Sequence, residues 1–177
     1  MKLIDAALGD DLAKLRALGL LNQQIDVDEA VRALRRQLGV PSMRVLQFAW
    51  DGDPHNVHLP YNHAADSVAM TGTHDTDTSL GWWRSASDQE RDRVRRHLGV
   101  DGSDIVWDLT RAAMASSAQW AVIQAQDVLA LGSEGRMNVP GTMHGNWDWR
   151  IERGALTADL AGRLAGLAHT YGRSRDA

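Results

Sequence analysis

The sequence contains no cysteine, which excludes disulfides and thiolate metal sites and fits a reducing compartment. No run of about 18 apolar residues exists, so no membrane-spanning segment is expected. The opening "MKLIDAALGDDLAK" places acids at positions 5, 10 and 11 and has no long apolar core. That is not the pattern of a signal peptide, and a cytoplasmic location is the expectation. Basic residues are not in excess: the net charge is -4 and the pI about 5.9, which argues against nucleic acid as the main partner. The run "RDRVRRHLG" (91–99) follows "SDQE" and reads as a solvated helix face. Also missing are the P-loop, G-x-G-x-x-G, G-x-S-x-G and H-E-x-x-H patterns.

Phenylalanine and tyrosine are scarce, at 1 and 2, against 7 tryptophans. Tryptophan joins a large flat apolar face to an N–H donor, a combination suited to stacking on sugar rings, although most tryptophans fill cores. The length of 177 residues suits about one domain. Leucines at 8, 12, 15 and 18 predict a helix over 1–20, and "DEAVRALRRQL" predicts another over 28–38, closed by Gly39 and Pro41. "MRVLQFAW" (43–50) reads as a buried strand, 51–66 as a polar loop and "SVAMTG" (67–72) as a second strand. A helix is expected from Asp77 or Thr78 through "SLGWWRSA", with Asp77 as its N-cap. A capping box from Ser87 to Glu90 opens the next helix, and 103–118 reads as an amphipathic helix. In 119–131, "WAVIQA" suits a short strand and "QDVLAL" a turn or short helix; 132–150 must be loop, and a last helix capped by Thr157 follows. Alternation of this kind predicts parallel strands with crossover helices. The three strands found are too few to close an eight-stranded barrel of about 250 residues.

In a parallel α/β fold, chemistry gathers where the strands end. "TGTHDTDT" (71–78) stands at such an exit. Asp75 there could stabilise a developing positive charge, act as a base or bind a metal. His74 could hold a sugar hydroxyl or orient the carboxyl group. "QFAWDGD" places Gln47, Asp51 and Asp53 at the exit of the preceding strand, although "DGDP" alone is an ordinary turn. His55, His58, His63 and His74, with Asp51, Asp53 and Asp66, could be drawn as a zinc site, but their spacing matches no helical ligand pair. The loop after 132 carries Arg136, Asn138, Asn146, Trp147 and Trp149; an asparagine offers donor and acceptor together, as a sugar hydroxyl requires.

Three stretches taken together, "MRVLQFAWDGDPHNVHLPYN", "TGTHDTDTSLGWW" and "QDVLALGSEGRMNVPGTMHGNWDWR", resemble the C-terminal part of the 4-α-glucanotransferases, also called amylomaltases or disproportionating enzymes. The resemblance runs from about Val40 to Arg150. It implies an α/β fold, specifically a partial (β/α)8 TIM barrel holding about strands six to eight. Residues 1–39 are then a helical N-terminal segment that does not match the family, and 40–177 the C-terminal portion of the barrel. It implies cytoplasmic enzymes that move α-1,4-glucan segments between maltooligosaccharides by retaining chemistry, with no metal and no cofactor. Asp75 matches the family's transition-state-stabilising Asp, His74 the neighbour that holds the sugar, and Asn138 in "RMN" a substrate contact. The acidic loop at Asp51 and Asp53 matches a further substrate contact. Trp82 and Trp83 are expected to pack the helix rather than face the sugar.

Retaining transfer needs two carboxyl groups about 5–5.5 Å apart, one attacking and one donating a proton. In the family the nucleophile follows the fourth strand and the proton donor lies in an "EDLG" segment upstream of "VLQF". Counting back without a gap from Gln47 puts Asn22 at the donor's position, and an amide is no proton donor near neutral pH. The strands before the donor find no counterpart in these residues. The expectation is therefore an incomplete chain, inactive alone, with a non-catalytic maltooligosaccharide-binding or complementing module as the alternative. Open sheet edges would then favour self-association or a partner fragment.

Overall fold

The computed structural model describes residues 27–174. The helix expected over 1–20 and the segment around Asn22 lie outside the described residues. The chain forms two compact units, Met1–Pro41 and Ser42–Ala177. In the first, helix α1 spans Val27–Gln37, close to the predicted bounds. Arg35 and Arg36 fall in its last turn, where cations oppose the dipole's negative end, and Arg36 pairs with Glu29 at 2.8 Å.

In the second unit three short strands form one sheet: β1 (Ser42–Val45), β2 (Ser67–Met70) and β3 (Trp120–Val122). Their order is β1-β2-β3 and both pairings are parallel, as the alternating pattern predicts. Strand β1 is shorter than expected: beyond Val45 the chain turns into a 3-10 helix at Leu46–Phe48. An apolar run without periodicity suits a buried strand or a buried turn equally. Here Leu46, Ala49 and Trp50 are all in the core, and the Val45 N–H is taken not by a strand but by His58 Nδ1 at 3.0 Å.

Helices α2 (Ser79–Ser85) and α3 (Asp88–Leu98) follow β2. The capping box of α3 is complete. Ser87 Oγ accepts from the Glu90 N–H at 3.2 Å, and Glu90 accepts from the Ser87 N–H at 2.9 Å. Part of the basic run lies on the outside of α3, where Arg91 and Arg96 pair with Asp88 and Asp92, while Arg93 turns inward and donates to the Trp50 carbonyl at 2.9 Å. Helix α4 (Ile105–Ala115) differs from its amphipathic reading: it is buried from Ile105 to Thr110 and again from Ala112 to Met114. It is the pillar of the core, joined by Leu46, Trp50, Leu59, Ala69, Trp83 and Val94. Trp83 is buried and Trp82 packs against the same cluster, the packing role expected for both.

Helix α5 (Ala125–Val128) follows β3 directly, and α6 (Ala158–Thr170), capped by Thr157, closes the unit. Beyond α6, Arg173 returns to α4. Its Nε donates to the Met114 carbonyl at 2.6 Å, and its Nη2 to those of Ser116 and Ala118 at 2.8 and 2.9 Å. The last carbonyls of a helix lack intrahelical partners, and this guanidinium supplies one to Met114 and holds the link that follows α4.

The two faces of the sheet differ. Ser67 and Ala69 face the helices and are fully buried. On the other face the register aligns Met43, Val68 and Trp120 in one row and Val45, Met70 and Val122 in the next. Met43, Trp120 and Val122 are exposed while Val45 is buried, so much of this apolar face is open, whereas parallel sheets are ordinarily covered on both sides.

Candidate active site

The segment "TGTHDTDT" leaves β2 at the edge of the sheet where all three strands end, and each of its threonines has a task. Thr71 is fully buried and donates to Asp127 Oδ2 at 2.5 Å. Thr73 and Thr76 close the turn between them: the Thr73 N–H donates to Thr76 Oγ1 at 2.9 Å, and Thr76 Oγ1 to the Thr73 carbonyl at 3.1 Å. Thr78 is the N-cap of α2, accepting from the Gly81 N–H at 3.0 Å.

The expected cap, Asp77, does something else. Its Oδ1 accepts from the Thr78 N–H at 2.8 Å and its Oδ2 from Ser133 Oγ at 2.6 Å, tying the loop after β2 to the loop after α5. A threonine one residue later already meets the capping need, which frees the carboxyl group. Gly81 makes room, since a Cβ there would stand 2.6 Å from the Asp77 carboxyl atoms.

Asp127 was not among the residues the sequence singled out. Besides Thr71, it accepts from the Ser79 N–H and Ser79 Oγ, both at 2.8 Å. It is fully buried. One carboxyl group thus holds the end of β2 and the start of α2, bracketing residues 72–78. The available signal was an acid inside the apolar run "QDVLAL", where an uncompensated polar group is costly.

Within that bracket the structure brings together three of the sequence-predicted residues. Asn138 Nδ2 donates to Asp75 Oδ1 at 2.6 Å, and His74 Nε2 lies 3.3 Å from the same oxygen. Arg136 binds the two loops through their backbones, donating to the Asp75 carbonyl at 2.8 Å and the Asn138 carbonyl at 2.9 Å. The Asp75 and His74 side chains stay about half exposed, at 51% and 57%. The carboxyl group is therefore held yet open to a ligand.

The neighbouring strand exits pack against the same loop. Gln47, after β1, donates to the Asp77 carbonyl at 2.9 Å. Gly72 is where side chains crowd the backbone: a Cβ would meet Gln47 Nε2 at 2.5 Å, Thr76 Oγ1 at 2.7 Å and Gln124 Oε1 at 3.1 Å. That Gln124 oxygen, after β3, is buried and has no hydrogen-bond partner among the described residues.

Asp51 and Asp53 are placed differently. Asp51 Oδ1 accepts from the Asp53 N–H and Asp53 Oδ1 from the His55 N–H, so both carboxyl groups turn their own loop. The Asp53 N–H, then the Asn56 side chain, hold the Asp51 carboxyl below the usual carboxylate range. Among the described residues no hydrogen bond or ion pair joins either acid to His74, Asp75 or Asn138.

Among the described residues no three His, Asp or Glu side chains converge on one point. His58 and His63 serve as fasteners: His63 Nε2 bonds the His58 carbonyl at 3.0 Å, while His58 receives the β1 N–H. Burial pushes both rings below the ordinary histidine value, with the Arg44 charge acting in the same direction. The unfolded chain then binds more protons than the folded one between those depressed values and about pH 6.5. Stability is therefore complete above about pH 6.5 and falls as the pH drops through that window. Protonation would also set an N–H of His58 against the N–H of Val45. Thermal unfolding midpoints measured from pH 7.5 to 5 on a fine grid are expected to fall on the acid side; a flat profile would contradict this assignment.

The class of protein is set by these features: a parallel α/β protein whose polar side chains collect on the strand-exit edge. The sequence pattern of the 4-alpha-glucanotransferase family matches residues 26–157, and the chain belongs to that family. It is 43% identical over 151 residues to the chloroplastic/amyloplastic 4-alpha-glucanotransferase DPE1 of Arabidopsis thaliana, covering 83% of this chain and 26% of that protein. It is 41% identical over 170 residues to the 4-alpha-glucanotransferase of Synechocystis, covering 94% of this chain and 32% of that one. The fold resembles that of the amylomaltase from Streptococcus agalactiae solved in complex with acarbose, with a TM-score of 0.80 at 25% identity over 87% of this chain and 32% of that one. The chain thus spans about a quarter to a third of the length of these relatives. The family match begins at residue 26, earlier than the Val40 from which the resemblance of the quoted motifs runs. No described helix is long and apolar enough to cross a membrane.

Proposed function

We propose that this chain forms the wall of a 4-α-glucanotransferase site that carries the transition-state-stabilising acid. In this reading β1, β2 and β3 are the sixth, seventh and eighth strands of a (β/α)8 barrel. The ligand is a maltooligosaccharide or another α-1,4-glucan, and the reaction is transfer of glucan segments with retention. The observation that carries the reading is the Asn138–Asp75 hydrogen bond of 2.6 Å, with His74 beside it, at the strand-exit edge of a chain from this family. A glycosyl transfer passes through an oxocarbenium-like state, and a fixed negative charge near the ring lowers its energy. Asp75 supplies that charge, Asn138 aims it, and His74 donates to a sugar hydroxyl. Asp51 and Asp53 contact glucan farther out, from the neighbouring loop. The acarbose complex of the similar amylomaltase supports the choice of a glucan-like ligand.

The test is titration with maltoheptaose, followed by calorimetry. Weak saturable binding is expected, reduced about tenfold or more in Asp75→Ala and in Asn138→Ala, as loss of a charge-assisted contact implies. Absence of any binding to the unaltered chain would defeat the reading. Incubation of the chain alone with maltotriose is expected to yield neither glucose nor longer oligomers, because no counterpart of the nucleophile or the proton donor stands among these residues.

The open part of the sheet face and the outer edges of β1 and β3, which pair with no further strand among the described residues, lead us to expect self-association. Light scattering across a concentration series checks this; a monomer at every concentration would speak against it.

A further inference from the structure

The loop that brings Asn138 to Asp75 also brings an aromatic ring, and the backbone beneath that ring is strained. Trp147 has φ of 64°, in the left-handed region that bulky L residues rarely occupy. Such outliers persist where surrounding contacts over-determine them, and they cluster at ligand sites. Here the contacts are explicit. The Trp147 N–H donates to the Met137 carbonyl at 2.7 Å, and Arg150 Nη1 donates to the Trp147 carbonyl at 2.7 Å. Asn146 closes the loop behind it, accepting from the Val139 N–H at 2.8 Å and donating to Thr142 Oγ1 at 2.9 Å.

Core packing does not explain this arrangement. The Trp147 side chain remains 53% exposed, whereas Trp50, Trp83 and Trp107 are buried. Its ring centroid lies 5.1 Å from that of His74, tilted by 37°. A half-exposed indole, held over the imidazole that adjoins Asp75 by a strained and heavily bonded loop, is a surface prepared for a ligand.

We infer that Trp147 is a stacking platform for the apolar face of an α-linked glucosyl unit, beside the ring that His74 and Asp75 engage. The inference rests on the reading of Asp75 and His74 as a glucan site, and it adds the residue that takes up the sugar's C–H face. Indole suits that task because its flat face is large and its ring brings little conformational freedom to lose.

Glycine is the informative substitution. It removes the ring but relieves the left-handed backbone, so it separates binding from folding. Trp147→Gly is expected to leave the thermal midpoint unchanged or raised while weakening maltoheptaose binding about tenfold or more. Trp147→Phe, which keeps a flat ring, should stay within about threefold of the unaltered chain. If Trp147→Gly bound maltoheptaose unchanged while Asp75→Ala lost it, this inference would fail and the glucan-site reading would stand. A fall in the Trp147→Gly midpoint would assign Trp147 to the fold and overturn the inference as well. No binding to the unaltered chain would bring down the underlying reading itself.

Discussion

Replacing Asp127 with alanine is expected to lower the unfolding free energy by about 3 kcal/mol or more. The residue is fully buried, and its carboxyl oxygens accept from Thr71 Oγ1, Ser79 Oγ and the Ser79 N–H. Removing the acceptor strands three donors in a site that water does not reach, and each unsatisfied buried donor costs about 1–3 kcal/mol. These costs do not simply add, because the three donors share one network. Asp127→Asn keeps one acceptor oxygen and its size; the two hydroxyls can rotate to accept from its amide, so the loss should shrink to about 1–2 kcal/mol. Urea denaturation of the three proteins checks the order. An alanine variant within about 0.5 kcal/mol of the unaltered chain would show that the bracket around residues 72–78 is held by something else.

Replacing Arg173 with methionine is the second large effect, at about 2 kcal/mol. Methionine keeps an unbranched stem but offers no donor. The carbonyls of Met114, Ser116 and Ala118 would each lose a charge-assisted hydrogen bond. The group is partly exposed, so the figure is set well below the sum of three buried bonds. The carbonyls concerned lie at the end of α4 and in the link to β3, which fixes where the damage should appear. Hydrogen exchange should quicken in 116–122 and in α6 before it quickens in β1 or β2. Uniform quickening across the sheet would mean that Arg173 contributes to global stability but does not fasten that corner.

Local chemistry was largely legible in the sequence. Ser87 and Glu90 announce their capping box, Thr157 its helix, and the alternation of apolar strands with helices announces a parallel sheet. These features depend on neighbours within a few positions. What escaped depends on distant partners. Nothing near Val45 says that a histidine thirteen positions on will take its N–H and end the strand. Helix α4 has a polar-looking face with Asp108 and Arg111, yet Asp108 is buried and its carboxyl is pushed above the usual range by that burial, with Arg111 at 2.7 Å partly offsetting it. Asp77 and Thr78 were both reasonable caps, and only Ser133, far along the chain, draws Asp77 away. Asp75 and Asn138 stand far apart in sequence, and only their motifs, through the family resemblance, suggested a common site before the fold joined them.

The double tether on Asp127 also bears on engineering. Residues 72–78 are suspended between Thr71 and Ser79, both tied to Asp127 of α5, and Gly72 is wedged among side chains from the two flanking strand exits. A redesign that edits only the loop would work against fixed posts. To shift the Asp75 carboxyl group by a fraction of an ångström, the more effective lever is the seat of α5, where a small displacement carries both posts together.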